Sequence, residues 1–169
     1  LRFFAQDVWP LIRRELPNTE LLVAGNFQTQ AQEEFRQFGN VRFTGRVKDI
    51  RPYFNQSDVF IVPFEETHGS KLKVAEAMAM GIPIVSTPQG IRGFPLVNGE
   101  SVMIASSRYE FASHTISLLK DPDSRAEMGN KARKIAITTI DWKVLGERLN
   151  RIVQDTKVAL DLDSSTMSS

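Results

Sequence analysis

Apolar positions in the first third of the chain switch between two spacings. Phe4, Val8, Ile12 and Leu16 recur every fourth residue, the period of one helix face. Pro10 falls inside that run, and its missing N–H predicts a kink or a short break. Leu21 to Ala24 is a continuous apolar run that stops at Gly25, the pattern of a strand buried in a parallel sheet. Thr29 is placed to cap a helix that carries Ala31, Phe35 and Phe38 and closes at Gly39. A second strand is predicted over Val41 to Thr44, then a short helix from Asp49 with Ile50, Tyr53 and Phe54. A third strand is predicted from Asp58 to Val62, ended by Pro63. Beyond a longer apolar helix come strands at Ile82 to Ser86 and Ser101 to Ile104. Three helical segments follow, over Arg108 to Leu119, Pro122 to Thr138 and Asp141 to Thr156. Strands alternating with helices predict an α/β fold with a Rossmann-like, doubly wound parallel sheet. Ligands of such sheets bind at the carboxyl ends of the strands. The loops Gly25 to Phe27, Gly45 to Lys48, Pro63 to Gly69 and Thr87 to Gly93 are therefore expected to share one rim.

One stretch changes that picture from a fold to a site. From Gly69 to Thr87 the chain reads G-S-K-L-K-V-A-E-A-M-A-M-G-I-P-I-V-S-T. Gly69 lets backbone approach closely, and Ser70 is placed to cap the first helical turn. The free N–H groups of Gly69, Ser70, Lys71 and Leu72, together with the helix dipole, favour an anion there. Lys71 and Lys73 add positive charge at the same end. Gly81 and Pro83 end the helix, and Ile82 onward reads as a buried strand. Glu76 is the only charge between Val74 and Val85, and a lone carboxylate in an apolar helix is costly without a partner.

Composition narrows the alternatives. The chain has 169 residues, 41% hydrophobic and 24% charged, enough for one domain with a full core. A formal net charge of +1 gives no bulk electrostatic case for nucleic acid or an acidic membrane. There is no cysteine, which excludes disulfides and Cys-based metal sites and fits a reducing compartment. No run is long and apolar enough to span a bilayer, and no signal peptide is visible. Asp161-Leu162-Asp163 matches a D-x-D pattern, but no strand precedes it and it carries no metal-site reading.

The Gly69 to Thr87 stretch resembles the donor-binding segment of retaining glycosyltransferases of family 4, the group 1 family with the GT-B fold. Lys73, Glu76, Ala77, Met78, Ala79, Gly81, Pro83, Val85, Thr87 and Gly90 fall on that family's pattern. Leu22 to Gly25, Val41 to Val47, Asp58 to Pro63 and Asp141-Trp142 match further segments of it, so the resemblance covers most of the chain. His68 stands where the family often carries a second Glu, eight residues before Glu76.

The resemblance implies a donor-binding, C-terminal half of a GT-B enzyme. It implies a nucleoside-diphosphate sugar, UDP- or GDP-linked, as donor, with no other cofactor and no obligatory metal. Glu76 would accept hydrogen bonds from the ribose hydroxyls, which suits a carboxylate facing a vicinal diol. Lys73 would neutralise the diphosphate as it leaves, and His68 would meet the sugar or a phosphate; these are the catalytic candidates. Gly69, Ser70, Lys71 and Leu72 would hold phosphate, Arg46 and Val47 the base, and Gly90 the loop near the pyrophosphate, with Arg92 beside it. Plainer readings stand beside these. Lys73 and Glu76 are also an ordinary i, i+3 surface pair. Arg46 and His68 are also solvated loop residues, Gly90 to Gly93 a simple turn, and Ser70 an ordinary cap.

The resemblance also implies that an N-terminal domain holding a glycan or lipid acceptor is absent. It places the full enzyme in the cytoplasm, peripheral to the membrane, with no nucleic-acid partner. A non-catalytic nucleotide-binding or regulatory module of the same fold is the alternative. The boundaries read from the sequence are a domain over 1–158 and a disordered Ser-rich tail over 159–169. The family's first strand, at the middle of its sheet, is also missing. Leu21 to Ala24 and Asp58 to Val62 would both pair with it. They are expected either to close up and pair directly or to take a strand from another copy of the chain, with an open gap as the third outcome.

Overall fold

The structure is a computed structural model that describes residues 2–64 and 71–166, with backbone alone at 29, 31 and 157–166. The first helix begins as a π-helical turn, Phe4–Val8, and continues as α1, Trp9–Glu15. The Trp9 N–H donates to the Phe4 carbonyl, five residues back. Pro10 follows and has no N–H to donate, so the predicted break takes the form of this wide turn.

Strands and helices then alternate: β1 Leu21–Val23, α2 Thr29–Arg36, β2 Val41–Phe43, α3 Arg51–Asn55, β3 Phe60–Val62, α4 Leu72–Met80 and β4 Ile84–Ser86. β5 Met103–Ile104 follows, then α5 Arg108–Lys120, α6 Pro122–Ile135, a second π-helical turn Ala136–Ile140, and α7 Trp142–Thr166. Thr29 is the first residue of α2 rather than its cap; Gln28 holds that place without a side-chain cap bond. Asp49 lies two residues ahead of α3, and its Oδ1 accepts the Arg51 N–H at 3.0 Å.

All strand pairings are parallel, in two sheets of order β1-β2 and β3-β4-β5. Helices cover both faces, giving the doubly wound α/β fold that the alternation predicts. One core joins Phe4, Trp9, Ile12, Leu21, Val23, Phe111 and Leu118. The other joins Val62, Val74, Met78, Ile84, Val102 and Ala132. β4 divides between them: Val85 faces the first core and Ile84 the second, as alternating strand side chains must.

The expected direct pairing of β1 with β3 does not form. A cavity of about 240 Å³ lies between them instead, lined by Leu21 to Ala24 on one side and Ser57 to Ile61 on the other. The helical layer explains why the edges stay apart. Trp9 Nε1 donates to the Gly39 carbonyl at 2.9 Å and so holds α1 to the β1-β2 side. α5 packs on both α1 and β4, and the Phe4 and Phe111 rings meet edge-on at 5.5 Å. Closing the sheet would require shearing this brace, whose buried aromatics fill fixed positions.

At the other end, α7 runs through Thr166, past the boundary at 158 predicted from the serines. Lys157 to Asp163 consists mostly of helix-forming residues, and the serines begin only at Ser164. The D-x-D pattern therefore lies on helical backbone.

Candidate functional site

α4 is fixed from its C-terminal end and from one face. Gly81 adopts the left-handed conformation, φ +72°, and its N–H reaches the Ala77 and Met78 carbonyls. A β-carbon on Gly129 of α6 would lie 1.9 Å from the Gly81 carbonyl oxygen, so only glycine lets the two helices approach this closely. Arg133 of α6 donates to the Ala79 carbonyl at 2.6 Å and serves an orphan acceptor of the last turn. Val74, Ala77 and Met78 are buried beneath, which turns Lys73 and Glu76 outward. The lone carboxylate thus avoids burial, and Lys73 Nζ donates to Glu76 Oε2 at 2.7 Å.

The start of α4 is tied to the loop after β4. Helical residues begin at Leu72, which is exposed, with Lys71 in the cap position and no side-chain cap bond. Lys71 Nζ donates to the Arg92 carbonyl at 2.7 Å. Gly90 is buried in that loop, and a β-carbon there would lie 2.3 Å from Ser86 Oγ and 2.8 Å from the Val62 carbonyl oxygen. Gly90 therefore acts by letting the loop lie flat on the ends of β3 and β4. Thr87 Oγ1 completes the knot, donating to the Phe64 carbonyl and accepting the Gly90 N–H at 3.2 Å.

A second cluster sits at the ends of β1 and β2. Gly25 bridges Gly45, and its N–H reaches Thr44 Oγ1 at 3.3 Å. Both glycines have positive φ, +126° and +67°, which L side chains rarely adopt. Arg46 is exposed and Val47 half-buried just beyond. Because the strands within each sheet run parallel, each cluster lies at the carboxyl ends of its own strands.

The structure thus brings Lys73 to Glu76, and Lys71 to the Gly90–Arg92 loop. Arg46 and Val47 belong to the other sheet, across the cavity between β1 and β3. His68, Gly69 and Ser70 lie outside the described residues. Among the described residues no group of His, Asp and Glu is arranged to hold a metal ion.

Sequence reasoning missed three features. An apolar depression of about 290 Å³ borders Glu76, with Leu72, Ala75, Ile137, Ile140 and Trp142 in its walls. A cavity of about 400 Å³ opens at the strand ends between Thr87 to Gln89 and Ala105 to Ser107. Gly129 and Arg133, which hold α4 in place, act across about fifty residues of sequence, on Gly81 and Ala79 respectively. Only the exposed Trp142, at the start of α7, left a signal in the sequence.

The model of the family described as "Glycosyl transferases group 1" matches residues 1–121. A GDP-mannose-dependent monoacylated alpha-(1-6)-phosphatidylinositol monomannoside mannosyltransferase of Corynebacterium glutamicum is 28% identical over 160 residues. That alignment covers 86% of this chain and 41% of the relative. Among solved structures, Anabaena Alr3699/HepE in complex with UDP and glucose superposes with a TM-score of 0.76 at 17% identity. It covers 91% of this chain and 45% of that one. The C-terminal domain of the group 1 family glycosyl transferase LpcC from Francisella tularensis gives a TM-score of 0.70 at 18% identity. There the match covers 83% of this chain and 80% of that domain. The chain spans about two fifths of the length of the curated relatives it matches. Its fold is that of the C-terminal half of a GT-B glycosyltransferase, and the chain belongs to the group 1 glycosyltransferases.

Proposed function

We propose that this chain binds the nucleoside diphosphate of a sugar donor and forms the donor half of a retaining glycosyltransferase. The observation that carries this reading is the outward Lys73–Glu76 pair on a helix whose start is locked to the Gly90–Arg92 loop. Glu76 takes the ribose diol and Lys73 the diphosphate. The backbone N–H groups of Gly69, Ser70, Lys71 and Leu72 bind the same phosphates, and Arg46 and Val47 meet the base from the other sheet. In transfer, Lys73 stabilises charge growing on the departing diphosphate. Retention follows when the leaving phosphate assists attack on the face it vacates, with His68 beside the sugar. The acceptor, a glycan or lipid, is held by the rest of a longer protein on the cytoplasmic side of a membrane. The mannosyltransferase relative is named for GDP-mannose and the Anabaena structure for UDP, which supports a nucleotide-linked donor and leaves both bases as candidates.

The ion pair does not block this role. Both side chains are substantially exposed, at 61% and 40%, and exposed pairs are worth only about 0.2–1 kcal/mol. A charge-assisted hydrogen bond to ligand, about 1.5–3 kcal/mol, outcompetes it.

Calorimetry with UDP, GDP and the two nucleosides tests the assignment. Glu76→Ala is expected to weaken every ligand by about 1–3 kcal/mol, whereas Lys120→Ala on α5 leaves binding unchanged. Lys73→Ala is expected to weaken the diphosphates far more than the nucleosides. Equal, negligible effects of Glu76→Ala and Lys120→Ala would return Lys73 and Glu76 to a plain surface pair.

A further inference from the structure

The C-terminal end of α4 is closed by its own backbone and by one side chain from far along the sequence. The Ile82 N–H donates to the Ala77 carbonyl at 3.1 Å, and the Gly81 N–H to the Met78 carbonyl at 3.0 Å. This crossed pair is a Schellman cap, with left-handed Gly81 at its centre and buried Ile82 behind it. The cap does not reach the Ala79 carbonyl, which accepts a hydrogen bond from Arg133 Nη1 of α6 at 2.6 Å. The guanidinium makes this bond charge-assisted, and its charge stands at the negative end of the α4 dipole.

The same face of α6 meets α4 at a second point. Gly129 lies one helical turn before Arg133, and a β-carbon on it would stand 1.9 Å from the Gly81 carbonyl oxygen and 2.8 Å from its carbonyl carbon. The two contacts do different things. Backbone pressed on backbone limits how near the helices come but leaves α4 free to roll. A hydrogen bond to one particular carbonyl fixes the roll.

That roll decides where the outward pair points. Ala79 lies three residues beyond Glu76, on the same face of α4. Both border the depression of about 290 Å³, whose facing wall includes Ala136 and Ile137, the residues that follow α6. A helix carries a rotation at Ala79 to Glu76 and Lys73 as a rigid element. At the other end, the tie from Lys71 Nζ to the Arg92 carbonyl is exposed and made by a flexible side chain.

From this arrangement we infer that Arg133 is a positioning residue for nucleotide recognition: through the Ala79 carbonyl it sets the rotation of α4, and so the place at which Glu76 meets the ligand. Arg133 acts through α4 and makes no ligand contact of its own. The inference rests on the donor-site reading above.

The test uses the 169-residue chain in two arms. Arg133→Met keeps the aliphatic stem and removes the donor, Arg133→Lys keeps a charge and a donor, and Lys134→Met removes only the neighbouring charge. In calorimetry with UDP and GDP, Arg133→Met is expected to weaken the tighter-bound diphosphate about five- to tenfold. Arg133→Lys is expected to weaken it by no more than about threefold, and Lys134→Met by less than about twofold. In a Glu76→Ala background, Arg133→Met is expected to cost less than about twofold, because the contact that it positions is already gone. A purely structural role weakens both backgrounds by the same factor, and that result would overturn the inference. Equal effects of Arg133→Met and Lys134→Met would overturn it too. The second arm compares amide shifts of the nucleotide-free chains by NMR. Arg133→Met is expected to move Lys73 to Glu76 as well as Ala79 to Ile82, whereas movement confined to Ala79 to Ile82 would overturn the inference. If the shifts reach Glu76 while neither diphosphate binds the parent chain, the donor-site reading fails and the hold of Arg133 on the pair stands.

Discussion

The β1-β2 half and the β3-β4-β5 half of this molecule are built on different terms. In the second half, two glycines serve contact: Gly90 and Gly129 lie where a β-carbon would collide with backbone oxygen. In the first half, Gly25 and Gly45 have nothing within 4 Å of a built β-carbon and serve conformation alone, through positive φ. The second half is bound by α4, α6 and interior packing. The first carries an aromatic cluster, Phe27, Phe35, Phe38 and Phe43, with ring centroids 5.7–6.2 Å apart, beside the core of Phe4, Trp9 and Ile12. The proposed phosphate and ribose contacts thus sit on a close-packed frame and the proposed base contacts on a looser one, with the cavity beside β1 and β3 between. Geometry that must stay fixed during bond breaking is served by the tighter frame.

The largest expected effect comes from the aromatic cluster. Phe35 is 4% exposed, and Phe35→Ala is expected to cost about 3–5 kcal/mol. If the halves are separable, amides of β1, β2 and α2 lose exchange protection while those of β4 and α4 keep theirs. Equal loss in both halves would break the comparison. Gly129→Ala comes next. Its β-carbon meets Gly81 backbone, which no rotamer relieves, so a loss of about 1–3 kcal/mol is expected in the urea midpoint. Gly45→Ala meets no atom and is charged only for its backbone, about 1–2 kcal/mol. A cost for Gly45→Ala above that for Gly129→Ala would reverse the assignment of contact and conformation.

The smallest effect is one of pH and concerns the second half. Asp121 caps α6, accepting the Ser124 and Asp123 N–H groups and the Ser124 hydroxyl, and these bonds hold its carboxyl below the ordinary aspartate range. The unfolded chain therefore binds more protons, and stability rises with pH across that window. The contribution is complete above the ordinary aspartate pKa and is lost as pH falls through the lowered one. Asp121→Asn is expected to flatten the acid limb of a stability-against-pH curve. An unchanged limb would mean that the cap bonds do not form in solution.

Legibility followed the range of the interaction. Gly81 and Pro83 mark the end of α4 because a left-handed cap and a helix stop are local demands. The outward Lys73–Glu76 pair follows from i, i+3 spacing and the surrounding apolar residues. The parallel pairing within each sheet follows from strands alternating with helices. Gly129 against Gly81 was not legible, since a glycine within a helix shows no trace of what approaches it. The cavity between β1 and β3 was not legible in its outcome either. Whether β1 and β3 would close up depended on Phe4, Trp9 and Phe111 meeting across more than a hundred residues, which no local pattern encodes. The end of α7 was not legible either, since Lys157, Ala159, Leu160 and Leu162 carry the helix toward the serines with no local stop signal.

The measurement that tests the central claim most directly is an amide-resolved NMR titration of the chain with UDP and, separately, GDP. The account predicts saturable shifts at Val47 on one half and at Leu72 to Glu76 on the other, with buried reporters such as Phe35 and Met128 unmoved. Shifts confined to other surfaces, or a folded chain whose α4 amides do not respond to either diphosphate, would contradict it.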